Sequence, residues 1–378
     1  MFYCIKNLIF KISNKQLTNT FLIMHGNIEC CVFTINENFT EISKYELFNK
    51  KHTPIEIKDS KSLFKWINKR LIPANRIQYD RIVSNYLNVY DNLTKLILDS
   101  YGLSLSDGYW IKPYEDENTW ETINYYKNDF DLTLLDMYLD STISSEYKPI
   151  AKSPSNNIDG ISPKAWTIEN GDRVLIKRGK TDVYNEVIVS KILDEFGFNQ
   201  TKYWFDLFNE KPVCKCKNFT SDEIEFIPAS EIARMYNDNK EDILWYMNFI
   251  DSKVDEGYNK ISNMLLIDYV LGNEDRHWVN FGILRNINTL EFVDVAPIFD
   301  NGNALWISGF FNPVVKSKTT LGYNYNLKDL INKGYYSSKW KNALEIILTK
   351  EAKFETKEEI EKQYNGAVTN LSHIFNLN

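Results

Sequence analysis

The stretch Leu271-Gly-Asn-Glu-Asp-Arg-His-Trp-Val-Asn280, with Ala296-Pro-Ile-Phe-Asp300 after it, carries most of the information in this chain. It offers a carboxylate, Asp275, an amide five positions later, Asn280, and a second carboxylate, Asp300, behind a short apolar run. Phosphoryl transfer requires a carboxylate that orients and deprotonates a hydroxyl, plus an amide oxygen and a carboxylate that hold magnesium on the phosphates. Asp275 alone would be an ordinary helix-end carboxylate, but the three side chains together predict a metal–phosphate site.

Two further side chains of this stretch have competing interpretations. Arg276 is either a solvated arginine or a charge clamp for the region around Asp275, and the sequence leaves both open. His277 could act as a base or a ligand, but beside Trp278 we favour a structural histidine that fixes the backbone of the loop.

The composition is that of a soluble globular protein. The chain has 378 residues, of which 43% are hydrophobic and 25% charged, enough for two or three domains. A net charge of -7 argues against a dominant nucleic-acid-binding surface. The 5 cysteines lack zinc-like spacing, and the chain shows neither an apolar run long enough for a membrane span nor a signal-peptide core. We therefore expect a reduced, cytoplasmic protein with neither membrane nor direct nucleic-acid contacts.

The sequence predicts an α+β protein in three parts: an N-terminal α+β domain of residues 1–145, a β-containing lobe of residues 146–228 and a mainly helical lobe of residues 229–378. The predicted elements of the first part are strands at 8–12 and 28–35, a helix at 60–71 capped by Ser60 or Ser62, a helix at 86–101 ended by Gly102, packed irregular structure with short helices at 110–139, and a linker at 141–157.

The second and third parts begin with a predicted hairpin. Asn170-Gly171 separates two apolar runs, 165–168 and 173–177, and this dipeptide is a strong signal for a tight β-turn. The further predicted elements are a helix at 185–196 closed by Gly197, strands at 202–208 and 212–219, helices at 243–250 and 261–271, strands at 290–295 and 296–299, and a mostly helical tail at 327–375.

Residues upstream of Asp275 complete a candidate nucleotide site. Lys177 ends an apolar strand, where it could neutralise phosphate charge, and Glu186 near the start of the next helix could pair with it. In the loop Asn157-Ile-Asp-Gly-Ile-Ser-Pro-Lys164, the backbone amides around Gly160 could cover phosphates, and Lys164 would add positive charge. The plainer alternative is that Lys177 is only a lysine at the end of a strand and that Glu186 is only a glutamate on a helix surface.

The segment Cys214-Lys-Cys-Lys-Asn218 is predicted as the strand between the lobes, where adenine would hydrogen-bond to the backbone around Cys216 and Asn218. Metal binding by Cys214 and Cys216 is disfavoured because no second cysteine pair lies nearby. The aromatic side chains between Tyr109 and Tyr126 are better explained by core packing than by a ligand cage.

At these residues the chain resembles the HipA-like kinases, bacterial toxin-type serine/threonine kinases whose fold is related to protein kinases and phosphoinositide kinases. The matching pieces are Gly160-Ile-Ser-Pro-Lys164, Val174-Leu-Ile-Lys177, Asn185-Glu186, Gly272-Asn-Glu-Asp-Arg-His-Trp-Val-Asn280 and Ala296-Pro-Ile-Phe-Asp300, and the resemblance covers roughly residues 155–350.

The resemblance implies a bilobal, protein-kinase-like fold and an ATP- and Mg²⁺-dependent kinase that acts on a protein serine or threonine, with autophosphorylation as a further expectation. It makes Asp275 the catalytic base, Asn280 and Asp300 the magnesium ligands, and Lys177 the lysine that contacts phosphate. An antitoxin or regulatory protein is the candidate partner. Other readings of the same site are a small-molecule or lipid kinase and a nucleotide-binding pseudokinase scaffold.

The chain departs from the family pattern in two places. Family members often carry a serine just before the phosphate-loop glycine, whereas this chain has Asn157-Ile-Asp-Gly160, with Ser153 and Ser155 only nearby. This departure leaves open whether the chain inhibits itself by autophosphorylation and whether Ser153 or Ser155 is phosphorylated. The first 140 residues show no obvious match to the small N-terminal domain of toxin HipA proteins, which favours a stand-alone HipA-like kinase.

Overall fold

The structure is a computed structural model that describes residues 19–133, 135–139, 152–195, 197–271, 273 and 275–304. The chain divides into two compact units, and the predicted α+β class is confirmed in both. The first unit comprises residues up to Ile168 with Thr220–Glu225 and Asn286–Leu290, and the second comprises Glu169–Phe219, Phe226–Arg285 and the chain from Glu291. The predicted strand at 8–12, most of the 141–157 linker, the boundary at residue 145 and the helical tail lie outside the described residues.

The elements of the first unit surround an antiparallel sheet with the order β3-β2-β1-β4. They are β1 Thr20–His25, β2 Ile28–Ile35, β3 Ile42–Leu47, α1 Ser60–Asn68, α2 Tyr79–Leu87, α3 Leu93–Asp99, β4 Tyr109–Pro113, α4 Trp120–Ile123 and α5 Leu135–Leu139, followed by a 3₁₀ turn at Pro154–Asn157.

Both faces of the central strand β1 are buried. Successive side chains of a strand point to opposite faces, so Phe21 and Ile23 pack in the core that includes Leu63 of α1, whereas Leu22 and Met24 pack in the core that includes Trp110. The 110–139 region, predicted as irregular structure with short helices, contains the short helices α4 and α5 but also most of a strand, β4, that pairs with β1.

Two helix predictions in this unit are wrong in detail. The cap of α1 is Asp59, whose carboxylate accepts from Ser62 N at 2.7 Å while Ser62 Oγ accepts from Asp59 N at 2.9 Å, a reciprocal capping box. The helix predicted over 86–101 is interrupted, because Asn92 caps a new helix, α3, by accepting from Thr94 N at 2.7 Å. Its predicted end near Gly102 is confirmed: the Gly102 N–H donates to Ile97 O at 2.8 Å.

The predicted hairpin at Asn170-Gly171 is confirmed. Both turn residues have positive φ, 51° and 86°, as the favoured two-residue turn requires. The strands that it joins, β5 Lys164–Glu169 and β6 Asp172–Arg178, lie at one side of a sheet with the order β5-β6-β8-β7, completed by β7 Tyr203–Phe208 and β8 Lys211–Lys217.

The remaining elements carry the stretch with which the sequence analysis began. They are α6 Thr181–Glu195, β9 Ile224–Pro228, α7 Ala229–Tyr236, α8 Ile243–Asp251, α9 Gly257–Leu271, β10 Gly282–Asn286 and β11 Phe292–Val295, and the last two pair antiparallel. The strand predicted at 296–299 is reduced to one isolated bridge, Gln200 to Ile298.

Two buried aromatic residues hold the loop after α9 in place. Trp278 and Phe281 belong to the hydrophobic core of the second unit, and their carbonyls accept from Ser230 N at 3.0 Å and Ala229 N at 2.9 Å. The backbone on both sides of Asn280 is therefore fixed to α7, which defines the position of the amide.

No helix in the described part of the chain combines the length and the apolar character needed to cross a membrane.

Candidate active site

Lys177 lies at the centre of a buried ionic cluster in the second unit. Its Nζ is 2.6 Å from Glu186 Oε1 and 2.7 Å from Asp300 Oδ1, although these residues come from β6, α6 and the loop after β11. The ammonium also lies 5.0 Å from the ring centroid of Tyr203, within cation–π range. The pairing of Lys177 with Glu186 that the sequence suggested is therefore present in the structure.

The electrostatics of this cluster keep Lys177 protonated. Burial alone would lower its pKa, but the charges of Asp300 and Glu186 outweigh burial and hold the pKa well above the ordinary value of 10.5. The pKa of Lys177 is higher in the folded protein than in the unfolded chain. The charged lysine therefore stabilises the fold fully below pH 10.5, and this stabilisation is lost only as the pH rises through the pKa of the folded state.

We therefore expect Lys177→Met to lower the free energy of unfolding by about 2 kcal/mol, a value reduced from that of a fully buried pair because Asp300 is partly exposed. Between about pH 8 and 9.5 the difference from the wild type should stay constant, since neither the folded nor the unfolded lysine titrates there. Urea unfolding of the wild type and of Lys177→Met at several pH values between about 8 and 9.5 measures this difference in the free energy of unfolding. A difference that disappears by about pH 9 would contradict the raised pKa.

Asp300 begins a short segment, residues 300–304, that connects several parts of the site. The Asn301 N–H donates to Glu186 Oε2 at 2.8 Å, and Asn185 Nδ2 donates to the carbonyls of Gly302 and Ala304 at 3.0 and 2.7 Å. Asp300 itself has a φ of 58°, a left-handed conformation that is uncommon for a residue other than glycine. The contacts of the residues that follow it, from Asn301 to Ala304, thus help to hold Asp300 in this strained conformation.

Arg276 joins the loop of Asp275 to the segment of Asp300. Its Nε and Nη2 form a bidentate pair with Asp268 on α9 at 2.8 and 2.9 Å. Its Nη1 donates to the carbonyls of Asn280 at 2.8 Å and Phe299 at 2.5 Å, and Nη2 also donates to Asn301 Oδ1 at 2.7 Å. All five N–H groups of the guanidinium thus have acceptors.

The solvated alternative for Arg276 is therefore wrong, because the side chain is 0% exposed. Burial opposes its charge, but Asp268 raises the pKa of Arg276 above its usual value. A local sequence pattern does not identify this role, since Asp268 lies eight residues earlier on a helix and looks like any other helical acid.

The side chains of Asp275 and Asn280 belong to one loop. Asn280 Nδ2 donates to the Asp275 carbonyl at 3.3 Å, and the Asn280 N–H donates to the His277 carbonyl at 2.8 Å. The carboxylate of Asp275 is partly exposed and accepts from Asn303 Nδ2 at 2.7 Å. The sequence analysis missed Asn303 as a site residue and gave no role to Asn185, because neither contact is local in the chain.

The donors in this region suit magnesium, which prefers oxygen ligands. Asn280 directs its amide nitrogen to a carbonyl, which leaves Oδ1 on the opposite side of the amide, and the Asp300 side chain is 35% exposed. Among the described residues no group of three or more His, Cys, Asp and Glu side chains could hold a metal ion. A magnesium ion here would take one amide oxygen and one carboxylate from the protein and its other ligands from phosphate and water.

Gly160 and Lys164 lie in the first unit. Gly160 has a φ of 99°, a backbone conformation that favours glycine because residues with a side chain rarely adopt it. Nearby, Ser153 and Ser155 are buried, and Ser155 Oγ accepts from Trp166 N at 2.9 Å.

The adenine contact predicted at Cys216 does not agree with its position. Cys216 lies in β8, a central strand, opposite Leu175 on one side and Tyr203 on the other. Backbone groups in a central strand are used by the sheet ladders, so this residue has no open edge for adenine. The Asn218 N–H, just beyond the strand, donates to Arg173 O at 2.8 Å.

No family model matches the sequence. A curated relative, the serine/threonine-protein kinase CtkA of Helicobacter pylori, is 30% identical over 134 residues. The match covers 32% of this chain and 40% of CtkA, so it spans less than half of that relative.

The solved structure of HipA from Shewanella oneidensis MR-1, in a complex with HipB and operator DNA, aligns with this chain at a TM-score of 0.52 and 12% identity. The alignment covers 94% of this chain and 97% of HipA, so it includes most of the first 140 residues, where the sequence showed no obvious counterpart. The H. pylori proinflammatory kinase CtkA aligns over 57% of this chain and 92% of its own at 19% identity, but its TM-score of 0.40 is too low to establish a shared fold.

The sequence match to CtkA is thus confined to part of each chain, and the alignment with HipA shows a similarity of fold alone.

Proposed function

We propose that this protein is an ATP- and Mg²⁺-dependent serine/threonine protein kinase of HipA-like type. The observation that carries the proposal is the contact of Lys177 Nζ with both Glu186 and Asp300. A kinase needs a lysine held by a helix glutamate beside a metal-binding aspartate, and Lys177, Glu186 and Asp300 match these three roles.

Each side chain has a distinct role in the proposed reaction. Asp275 orients the acceptor hydroxyl and takes its proton as the acceptor oxygen bonds to the γ-phosphorus and the bond from that phosphorus to ADP breaks. Lys177 binds phosphate oxygens, and Glu186 keeps its ammonium in position. Magnesium, held by Asn280 and Asp300, would neutralise charge on the phosphates.

The remaining roles complete the proposal. Gly160 and Lys164 contact phosphate, and Asn218, just beyond β8, contacts adenine. The division into an N-terminal domain of residues 1–145 and lobes of residues 146–228 and 229–378 belongs to the same proposal. A regulatory partner of antitoxin type is also part of the proposal, by analogy with the HipA structure, which is a complex with HipB.

The test is incubation of the purified protein with Mg²⁺ and γ-labelled ATP, with and without a mixture of unfolded acceptor proteins, followed by mass spectrometry. We expect phosphate on serine or threonine, and we expect Asp300→Ala to remove it, by about 10²-fold or more, because the variant loses a magnesium ligand. Label found only on small alcohols or lipid head groups would favour the small-molecule kinase, and ATP binding without transfer would favour the pseudokinase.

A matched control for Asp300→Ala is Asp294→Ala. Asp294 lies six positions earlier in the same unit, is similarly exposed at 36%, and pairs with a surface lysine, Lys260, at 2.7 Å. Its loss should leave phosphate transfer unchanged, since exposed ion pairs contribute little to stability.

A further inference from the structure

The short segment that begins at the proposed metal-binding carboxylate is held by helix α6. Asn185 Nδ2 donates to the carbonyls of Gly302 and Ala304 at 3.0 and 2.7 Å. Glu186 Oε2 accepts from the Asn301 N–H at 2.8 Å. The two side chains of α6 are buried, so these hydrogen bonds are shielded from water. Three of the four residues that follow the carboxylate are therefore fixed to one helix, and all of them belong to the second unit.

The approach between this segment and α6 is close. A Cβ added at Gly302 would lie 3.2 Å from the Cβ of Asp182, in the first turn of α6, and 3.4 Å from its carbonyl oxygen. The side chain of Asn301 is held in addition by Arg276, whose Nη2 donates to Asn301 Oδ1 at 2.7 Å. The backbone of the segment is therefore tied both to α6 and to the loop that carries Asp275.

Asn303 is the residue of this segment whose side chain contacts Asp275. Its Nδ2 donates to Asp275 Oδ2 at 2.7 Å, although the two residues are 28 positions apart in the sequence. Asn303 is exposed, so packing in a core does not fix the geometry of this pair. Its position follows instead from its neighbours on both sides, Gly302 and Ala304, whose carbonyls are bound to Asn185.

The hydrogen bond from Asn303 restricts the orientation of the Asp275 carboxylate. The terminal torsion of an aspartate has broad minima, so a partly exposed carboxylate can rotate about its last bond. Within the described residues, Asn303 Nδ2 is the one donor to this carboxylate, and it binds Oδ2. Oδ1 then remains for an acceptor hydroxyl. A general base must lie within hydrogen-bond reach of the proton that it removes, so a defined orientation favours transfer.

We propose that Asn303 is a positioning residue for Asp275: its amide holds Oδ2 so that Oδ1 is directed at the acceptor hydroxyl. This inference rests on the proposed function, in which Asp275 is the base. In this role Asn303 touches neither the acceptor nor the nucleotide and acts only through the carboxylate. Because the backbone on both sides of Asn303 is bound to α6, the helix that carries Glu186 also sets the orientation of the base.

The test compares Asn303→Ala, Asn303→Gln and Asn303→Asp in the full chain, and combines Asn303→Ala with Asp275→Asn. Asn248→Ala is the matched control. Asn248 is also an exposed asparagine of the second unit, and its Nδ2 donates at 2.8 Å, but to the carbonyl of Leu244 in its own helix. The readouts are the single-turnover rate of phosphate transfer, the KM for MgATP and the melting temperature.

Asn303→Ala should lower the rate of transfer about tenfold, because the carboxylate is in the productive orientation for less of the time. The KM for MgATP should stay within about twofold of the wild type. Asn303→Asp keeps the shape but has no donor, so it should lose at least as much rate, whereas Asn303→Gln keeps a donor and should recover part of it. With Asp275→Asn, Asn303→Ala should change the residual rate less than about twofold, because no base remains to be oriented. Every Asn303 variant should melt within about 3 °C of the wild type, since the side chain is exposed, and Asn248→Ala should transfer phosphate at the wild-type rate.

Three results would overturn the inference. A wild-type rate in Asn303→Ala, with Asp275→Asn inactive, would remove the positioning role and leave the proposed function intact. An equal loss with and without Asp275→Asn, or a loss that Asn303→Asp does not share, would assign Asn303 a merely structural role. A wild-type protein that transfers no phosphate would overturn the proposed function, and with it the base that this inference concerns.

Discussion

Asp275→Asn is expected to reduce phosphate transfer by about 10³-fold while the protein still folds. The amide keeps the size of the carboxylate but cannot take the proton of the acceptor hydroxyl. Asp275 makes two backbone contacts, since its N–H donates to Asn273 Oδ1 at 3.3 Å and its carbonyl accepts from Asn280 Nδ2 at 3.3 Å. Its Oδ2 accepts from Asn303 Nδ2 at 2.7 Å. An asparagine can retain all three contacts, so the loop should keep its conformation.

The measurement is the single-turnover rate of label transfer at saturating MgATP, with the KM for ATP determined in parallel. The KM should change little, because the acceptor hydroxyl and not the nucleotide contacts Asp275 in the proposed reaction. Val279→Ala is a suitable control, since Val279 is an exposed side chain of the same loop, 38% accessible, and has no role in the chemistry. Wild-type rates in Asp275→Asn would refute its assignment as the base.

Arg276→Leu is expected to have the largest effect on stability, a loss of about 3–5 kcal/mol. Leucine would leave the carboxylate of Asp268, 1% exposed, buried without its cation. It would also remove the donors to the carbonyls of Asn280 and Phe299. Because Arg276 joins the two loops, activity should fall even at temperatures where the variant is still folded.

Urea unfolding and phosphate transfer at low temperature measure the two effects separately. In the double variant Arg276→Leu, Asp268→Leu, part of the stability should return, because no unpaired charge remains buried. Activity should not return, since the link between the loops is still missing. A double variant that regains full activity would show that Arg276 only neutralises Asp268.

The local elements of this fold were predictable where short-range chemistry defines them. Asn170-Gly171 adopts the positive φ angles of a tight hairpin, and α6 ends at Glu195, shortly before Gly197, whose φ is 70°. The prediction failed where a polar side chain outweighed hydrophobic periodicity, as Asn92 does when it caps a new helix inside the predicted 86–101 helix.

The role of Cys216 was misjudged for a different reason. The segment around Cys216 has the composition of a strand, and it forms β8. The position of β8 in the middle of the sheet depends on its pairing with β6 and β7. Pairing order is a long-range property, and the sequence of β8 alone does not contain it.

The chemical groups of the candidate site can be read directly from the chain: a D-x-x-x-x-N spacing, a later aspartate, a strand lysine and a helix glutamate. Their assembly cannot be read in the same way. Lys177 Nζ lies 2.7 Å from Asp300 Oδ1, although the two residues are 123 positions apart in the sequence. The guanidinium of Arg276 donates hydrogen bonds to Asp268, Asn280 and Phe299. Such contacts follow from the packing of distant elements, since the entropy cost of closing long loops is offset only by burial across the whole unit.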